Sequence, residues 1–599
     1  MTDCTRGLLV TLAASACMLL CACSLLPNSA AQKAAAAATV IPRIEVEIQG
    51  VKGALERNIR AHLTVTNKPC SVPKAYLTVL GKRSEKEARE ALRAFGYYNA
   101  AVIASVIANS NCPLATLAID AGQRVKLNTV ELALTGSGET DQGYRDELKK
   151  IHLASGSGLN HGNYTSAKQL FESVALERGY LEGQFVKHEL RVNPDALHAD
   201  IALEFHTGPR YQLGEIRIKQ DPEFLTESLI RRFLERNEDT PYDASFVSRY
   251  HLALSKSSYF ERVDVRPRLS SPENNTIPID ISLTPRDRHA LDTGIGASTD
   301  EGIRGRFGYQ NRRLNRLGHQ FEATMNGSFI EQKLSAAYRF PRAHPIDEWL
   351  SVQAGVRRRE VDTFTTIESQ VSVTETIRRP WGWKETRFIE LNRQDYDVSA
   401  TEDVSNFLSP GISWRRTVAN NDLFPTRGYD VSLELKGASQ AIIGDTSFLR
   451  SQISLAWVRG LPWSSRVLLR GHFGATWVNE FRQLPPSERF FAGGDNSIRG
   501  FDIESVGPVD SANKVIGGTQ LGVVSVELEH YFTDTWGVAT FADTGNAFGG
   551  EGSSTGLQTG IGFGVRWRSP VGPVRLDIAH PLDDPDNNFR IHLRIGPDF

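Results

Sequence analysis

The sequence predicts three small α+β modules in tandem, each β-α-α-β-β, followed by an all-β barrel of about sixteen antiparallel strands. Three observations lead there. A self-similar unit of about 80 residues recurs from about residue 42 to residue 287. From about residue 288, helical periodicity gives way to short runs that alternate apolar and polar residues. The chain finishes on such a run, with an aromatic final residue.

Each repeat opens on a strand-like alternation: Arg43 to Ile48, Val130 to Leu134, and Ile216 to Ile218. Two amphipathic helical stretches follow. The second ends on a related turn: Phe95-Gly96-Tyr97-Tyr98, Arg178-Gly179-Tyr180-Leu181 and Ser257-Ser258-Tyr259-Phe260. Glycine suits a helix end because it takes the left-handed conformation there. The tyrosines read as plain core. Two strand-like runs close each unit, for example Asp200 to Phe205 and Ile277 to Leu283. The boundaries fall at 42–122, 123–208 and 209–287, with the barrel at 288–599. A small mixed sheet with a free edge can accept a partner's strand, so the array reads as a docking device.

In the second half, Val524, Val526 and Leu528 interleave with Ser525, Glu527 and Glu529. Ile561, Phe563, Val565 and Trp567 interleave with Gly562, Gly564, Arg566 and Arg568, and Leu576 and Ile578 with Arg575 and Asp577. Such a strand is half buried. In a soluble sandwich its charged face would meet water. In a membrane barrel its apolar face meets lipid and its charged face lines the lumen. The chain end separates the two. Phe589, Ile591, Leu593 and Ile595 alternate up to the final Phe599, which resembles the assembly signal of bacterial outer-membrane barrels. The remaining length holds roughly 14 to 18 strands of about 9–11 residues plus turns.

Composition is silent about this arrangement. The chain has 599 residues, 68 Lys+Arg against 70 Asp+Glu, and a mean hydropathy of −0.30. A balance near zero removes the electrostatic footprint of a nucleic-acid binder. Outside the N-terminus, no apolar run reaches the roughly 18 residues of a spanning helix.

Residues 1–31 read as an export signal: Arg6, an apolar stretch from Leu8 to Leu20, then small residues up to Ala31. Leu20-Cys21-Ala22-Cys23 also resembles a lipobox, in which Cys23 would accept lipid. The alternative is ordinary cleavage near Ala31. That cleavage leaves Cys70 and Cys112. Two cysteines in an oxidising compartment suggest one disulfide, and their spacing makes a poor zinc site. No metal ligand set and no cofactor motif is found.

Three segments carry a family resemblance. Arg489-Phe490-Phe491-Ala492-Gly493-Gly494-Asp495-Asn496-Ser497-Ile498-Arg499-Gly500-Phe501 resembles the extracellular-loop signature of the BamA/TamA superfamily, whose tip folds back into the barrel. Phe541-Ala542-Asp543-Thr544-Gly545 resembles its F-x-D-x-G strand motif. The run from Gly562 to Asp577 resembles its penultimate strand pair. The three stand in the family's order. The resemblance implies that the repeats are periplasmic POTRA modules and the barrel an outer-membrane one. It implies that Ile498, Arg499, Gly500 and Phe501 form a loop lock held by Phe541, Asp543 and Gly545. On the residues alone, Arg499 reads rather as an ordinary exposed loop arginine.

Three modules and the loop segment look most like the TamA group, the outer-membrane half of the translocation and assembly module. That implies a TamB-like periplasm-spanning partner and unfolded outer-membrane proteins, autotransporters among them, as substrates, with a lipid bilayer as surroundings. A BamA-like core insertase or a two-partner-secretion channel is the alternative. The substrate element would be the seam between the first strand, near His289 to Ser298, and the last, Phe589 to Ile595. Gly294 and Gly296 would soften its edge. The chain lacks a P-loop, H-E-x-x-H and C-x-x-C, so an enzyme is not expected. Gly560-Ile561-Gly562-Phe563-Gly564 lies in a strand and is no phosphate cradle.

Overall fold

The computed structural model describes residues 42–109, 111–234, 240–399, 401–552, 556–570, 572–584 and 589–595. Residues 1–31, read above as an export signal, with Cys23, and the final Phe599, lie outside the described residues. The chain forms two compact units. One ends at Gln212 and includes Pro241–Ala244; the other comprises Leu213–Thr240 and Ser245 onward.

The first unit holds two modules. In the first, β1 (Glu45–Gln49) precedes α1 (Ala54–His62) and α2 (Lys74–Arg93), then β2 (Ala101–Ile107) and β3 (Leu114–Asp120). β3 is central, with β1 parallel and β2 antiparallel to it. Its alternate residues Ala115, Leu117 and Ile119 share a core with Leu80, Ala88 and Leu92, which recur at helical spacing on α2. Cys70 and Cys112 form a disulfide.

The second module repeats the order: β4 (Lys126–Thr135), α3 (Gln142–Leu148), α4 (His161–Glu177), β5 (Gln184–Asn193) and β6 (His198–His206), with β6 central. Asp141 organises it. Its carboxylate caps α3 by accepting from the Gly143 and Tyr144 N–H groups at 3.0 and 3.3 Å. It also accepts from Arg178 Nε and Nη2 at 2.8 and 2.7 Å, and from the Tyr180 hydroxyl at 2.9 Å. Burial opposes ionisation of Asp141, yet the hydrogen bonds from Arg178 and Tyr180 and the charge of Arg210 hold it below the usual carboxylate range. Burial, with the Asp141 hydrogen bond, pushes the Tyr180 hydroxyl up to about 12.

The second unit begins with a module of the same pattern: β7 (Gln212–Gln220), whose first residue falls in the other unit, α5 (Glu227–Arg231), α6 (Ser245–Ser255), β8 (Phe260–Pro267) and β9 (Thr276–Pro285), with β9 central. The barrel follows. Its strands are β10 (His289–Ser298), β11 (Gly302–Asn311), β12 (Gln320–Gly327), β13 (Glu331–Pro341), β14 (Trp349–Val361), β15 (Phe364–Arg378), β16 (Lys384–Val398) and β17 (Thr401–Ala419). They continue with β18 (Arg427–Ala438), β19 (Phe448–Leu461), β20 (Ser465–Val478), β21 (Gln520–Tyr531), β22 (Trp536–Phe548), β23 (Gln558–Ser569), β24 (Gly572–Pro581) and β25 (Arg590–Ile595). Each pairs with the next, giving one sheet of 16 strands.

The two faces of that sheet reverse the soluble rule. On β21, Val524, Val526 and Leu528 are exposed, whereas Ser525, Glu527 and Glu529 are buried. On β23, Ile561, Phe563, Val565 and Trp567 are exposed and Arg566 is buried. An apolar exterior around a charged interior is the pattern of a barrel whose outer solvent is lipid. Exposed Trp381, Trp463 and Trp536 mark its rim on the module side.

The third module is joined to that rim. The Thr226 N–H donates to Arg316 O at 2.9 Å, and Arg232 Nη1 to Arg342 O at 2.9 Å. The Tyr259 hydroxyl donates to Gly318 O. Gly318 has φ +76°, and a Cβ there would lie 2.4 Å from Leu229 Cδ2, so only glycine fits beneath the module. The turn tyrosines are therefore not equivalent core residues. Tyr97 is half-buried, Tyr180 serves Asp141, and Tyr259 ties its module to the barrel. Reading them as plain core overlooked their hydroxyls, which need partners when buried.

Asp141→Asn should loosen the second module by about 1.5–3 kcal/mol, the range for a hydrogen-bonded charge. Urea unfolding followed by hydrogen exchange across α3 measures it. The folded pKa of Asp141 is depressed. Its contribution is therefore complete above its unfolded value, near about 4, and is lost as pH falls through the lower folded value. The asparagine variant should lack that acid-dependent loss. Equal acid sensitivity in both proteins would contradict the assignment.

Candidate functional site

Successive strands run up and down, so the third module marks one end of the barrel and the hairpin turn 299–301 the other. The connection from β20 to β21, residues 479–519, is also at the far end. It folds into the lumen. Ile498 and Phe501 pack with Ala492, Val506 and Val523. Arg499 is 3% exposed.

Arg499 meets three carboxylates from three strands. Its Nε and Nη2 donate to Asp543 of β22 at 2.7 and 2.9 Å, and its backbone N–H to the same carboxylate at 3.1 Å. Its Nη1 donates to Glu527 of β21 at 2.8 Å and to Asp577 of β24 at 3.0 Å. The guanidinium carbon lies 3.4 Å from the centroid of the Phe541 ring. A planar fork with five donors serves several carboxylates in fixed directions at once; a lysine, with three donors on one nitrogen, cannot span the same positions.

The charges continue along the wall. Arg566 Nη2 donates to Glu527 at 2.6 Å, its Nη1 to Asp577 at 2.5 Å, and its Nε to Glu529 at 3.1 Å. Glu529 also accepts from Arg466 Nε at 2.6 Å. Cation and anion thus alternate from the loop tip along the wall towards the module side. Asp543 and Glu529 are both 0% exposed. Removing one partner from such a chain leaves uncompensated buried charge, at a cost of about 3–5 kcal/mol.

Glycines make the room. A Cβ on Gly560 would lie 1.8 Å from Arg499 O, so the loop backbone rests directly on β23. A Cβ on Gly564 would lie 1.9 Å from Asp577 Oδ1. Gly500 has φ +104°, and its N–H donates to His592 Nε2 on β25 at 2.8 Å. Gly545 packs against β21, where a Cβ would lie 2.3 Å from Gly522 O. The Gly560 to Gly564 alternation, seen in the sequence and given no role there, is the floor on which the tip sits. Glu527, Arg566 and Asp577 were visible as the charged face of their strands but not as partners of Arg499.

The seam differs from every other strand pair. Among the described residues no ladder joins β25 back to β10. Among the described residues, the hydrogen bonds across it lie towards the far end. The Thr299 N–H donates to Leu593 O at 3.3 Å, and Arg304 Nη2 to Ile595 O at 3.2 Å. Towards the module side, the edge of β10 from His289 to about Gly296 has no partner strand among the described residues. Ile295 is 91% exposed. Gly294 and Gly296 lie on this edge, and Phe589, Ile591, Leu593 and Ile595 on the opposing strand. A Cβ on Gly294 would have no atom closer than 3.9 Å, so packing does not demand glycine there.

Asp300, Asp495 and His592 place ligand-type atoms within 4.8 Å of one another. Their geometry fits hydrogen bonding. Because His592 Nε2 accepts from the Gly500 N–H, its Nδ1 carries the proton and donates to Asp495, leaving no lone pair for a metal.

Gly560→Val should expel the loop tip and raise protease cleavage within residues 490–515. Arg499→Ala should do likewise and lower barrel stability by about 3–5 kcal/mol. Arg499→Lys should fail to restore either property. Unchanged protection in the valine variant would contradict the seating of the tip on β23.

Residues 238–599 match the family model described as the Omp85 superfamily domain. Residues 45–121 match one described as POTRA domain, TamA domain 1. The outer membrane protein assembly factor BamA of Nitratidesulfovibrio vulgaris is 23% identical over 380 residues, covering 60% of this chain and 47% of that protein. The BamA of Neisseria meningitidis is 24% identical over 536 residues, covering 77% and 66%. The chain therefore spans about half to two-thirds of the length of these relatives. The crystal structure of Haemophilus ducreyi BamA lacking POTRA domains 1–3 superposes with a TM-score of 0.66 at 14% identity, covering 79% of this chain and 99% of that one. With the inverted faces of its sheet and the family match over most of its length, this chain belongs to the Omp85 superfamily, as an outer-membrane β-barrel with N-terminal POTRA modules in the periplasm.

Proposed function

We propose that this protein is an outer-membrane protein assembly factor of the TamA kind. It takes strands of unfolded β-barrel substrates, autotransporters among them, on the open edge of β10. The observation that carries this reading is that, among the described residues, no ladder joins β25 to β10. Every backbone N–H and C=O at membrane depth must find a partner, since each unsatisfied group costs several kcal/mol in hydrocarbon. An edge left open there favours any incoming strand. In most proteins such an edge is a hazard; in an insertase it is the working surface.

The modules dock the partner. β2 is an edge strand of its sheet, and its Ile103 and Ile107 are exposed. That edge suits strand addition by a TamB-like, periplasm-spanning protein. The match of residues 45–121 to the first TamA module supports the TamA reading. The names of the two relatives support a BamA-like core insertase as the second reading.

A disulfide engineered across the seam with Ala297→Cys and Ile595→Cys should leave barrel folding intact, read as a faster unheated band on gels. It should abolish assembly of a substrate barrel in proteoliposomes, and a reductant should restore it. Full assembly with the seam bridged would defeat the proposal. Affinity capture from detergent-solubilised envelopes separates the two readings. A large inner-membrane TamB-like protein is the expected partner; small lipoproteins alone would favour the BamA-like reading.

A further inference from the structure

The loop that seats Arg499 on the wall also reaches the seam, through a second and separate set of contacts. Asp495, four residues before Arg499, is 5% exposed. Its carboxylate accepts from the Thr299 hydroxyl at 3.0 Å and from His592 Nδ1. Its backbone N–H donates to Asp300 Oδ2 at 2.6 Å. Thr299 and Asp300 form the turn that ends β10, and His592 lies on β25. One carboxylate therefore touches both sides of the seam.

Thr299 is the hinge of this contact. Its N–H donates to Leu593 O, and its hydroxyl oxygen accepts from the Leu593 N–H at 3.1 Å while its proton goes to Asp495. A hydroxyl has one proton and two lone pairs, so both bonds form together. Two neighbours of Asp495 add to the grip: Arg594 Nη1 donates to Asn496 Oδ1 at 2.7 Å, and Arg590 pairs with Asp502.

The backbone is shaped for this approach. Gly493 and Gly494 have φ +100° and +99°, and a Cβ on Gly494 would lie 2.6 Å from Asp300 Oδ2. Only glycine lets the loop come this close to the hairpin turn. Hydrogen bonds to a buried carboxylate are about twice as strong as neutral ones. Among the described residues no ladder joins the two sides, and these bonds link them.

We propose that Asp495, Thr299 and His592 form a positioning latch that holds the far end of the seam together from the lumen side, and that the latch holds only while Arg499 keeps the loop on the wall. Loop release and seam opening are then one event. The free edge of β10 would then extend to Thr299 when something draws the loop away. This rests on the reading of the seam as the substrate-accepting edge.

The test uses the full chain in lipid nanodiscs without substrate. Nitroxide labels at Ile295→Cys and Ile591→Cys report the seam by pulsed electron resonance. The unaltered seam should give one narrow distance distribution. Thr299→Val, nearly the same shape without the hydroxyl, and Asp495→Ala should add a population longer by at least one strand spacing, about 5 Å. Thr299→Ser should restore the narrow distribution, which a merely space-filling role would not require. Arg499→Ala should open the seam to the same extent, and combining it with Asp495→Ala should add nothing.

Two results would overturn the latch. One is Arg499→Ala freeing the loop to protease while the seam stays narrow. The other is a narrow seam in Thr299→Val. Where Asp495→Ala fails to fold, judged by gel mobility, Thr299→Val carries the test alone. A seam that widens in these variants while a bridged seam still assembles substrate would keep the latch and discard the assembly reading. A seam that stays narrow while bridging blocks assembly would do the reverse.

Discussion

A guanidinium inside a barrel needs opposing charge, and Arg499 draws that charge from three strands at once. Asp543, Glu527 and Asp577 would otherwise repel one another across a space closed to bulk water. The loop tip is thus a structural part of the wall. It neutralises carboxylates that β21, β22 and β24 present, and those strands in turn hold the tip. Arg566 and Arg466 carry the same alternation further along the wall. The glycines of β23 follow from this: a side chain at Gly560 would displace the loop backbone that Arg499 anchors.

The rest of the barrel is arranged around the contrast between this wall and the seam. Strands β21 to β24 are joined by ladders and by charge. Among the described residues, no ladder joins β10 and β25, and hydrogen bonds link them near Thr299 and Leu593. The same loop reaches both regions. A near-zero net charge and a negative mean hydropathy hide this design, because lumen carboxylates and guanidiniums cancel in the sum and mask the lipid-facing apolar residues. For this half of the chain the outer solvent is a bilayer.

Much of this was legible in the sequence, for a physical reason. Period-2 alternation with an apolar end fixes which face of a strand meets lipid, and a period of about 80 residues marks a stacked module. Arg499 and Asp543 were reachable because both fall in short motifs. Glu527 and Asp577 were visible as charged residues on alternating strands, but their joint partner depends on the register of strands tens of residues apart. Thr299, Asp495 and His592 were not identified. Nearly 200 residues separate the first two, and only barrel closure brings them together. Tyr259 was read as core because local sequence cannot show that a barrel turn at Gly318 lies over its hydroxyl.

The central claim is that the edge of β10 is free and that substrate strands fill it. Backbone amide exchange along His289 to Gly296, followed in nanodiscs with and without a peptide copying the last strand of a substrate barrel, tests it most directly. The account predicts fast exchange along this edge in the free protein, slower exchange in β11 and β21 to β24, and protection of the edge when the peptide is added. Strong protection of His289 to Gly296 before any peptide is present, or none after it is added, would contradict the account.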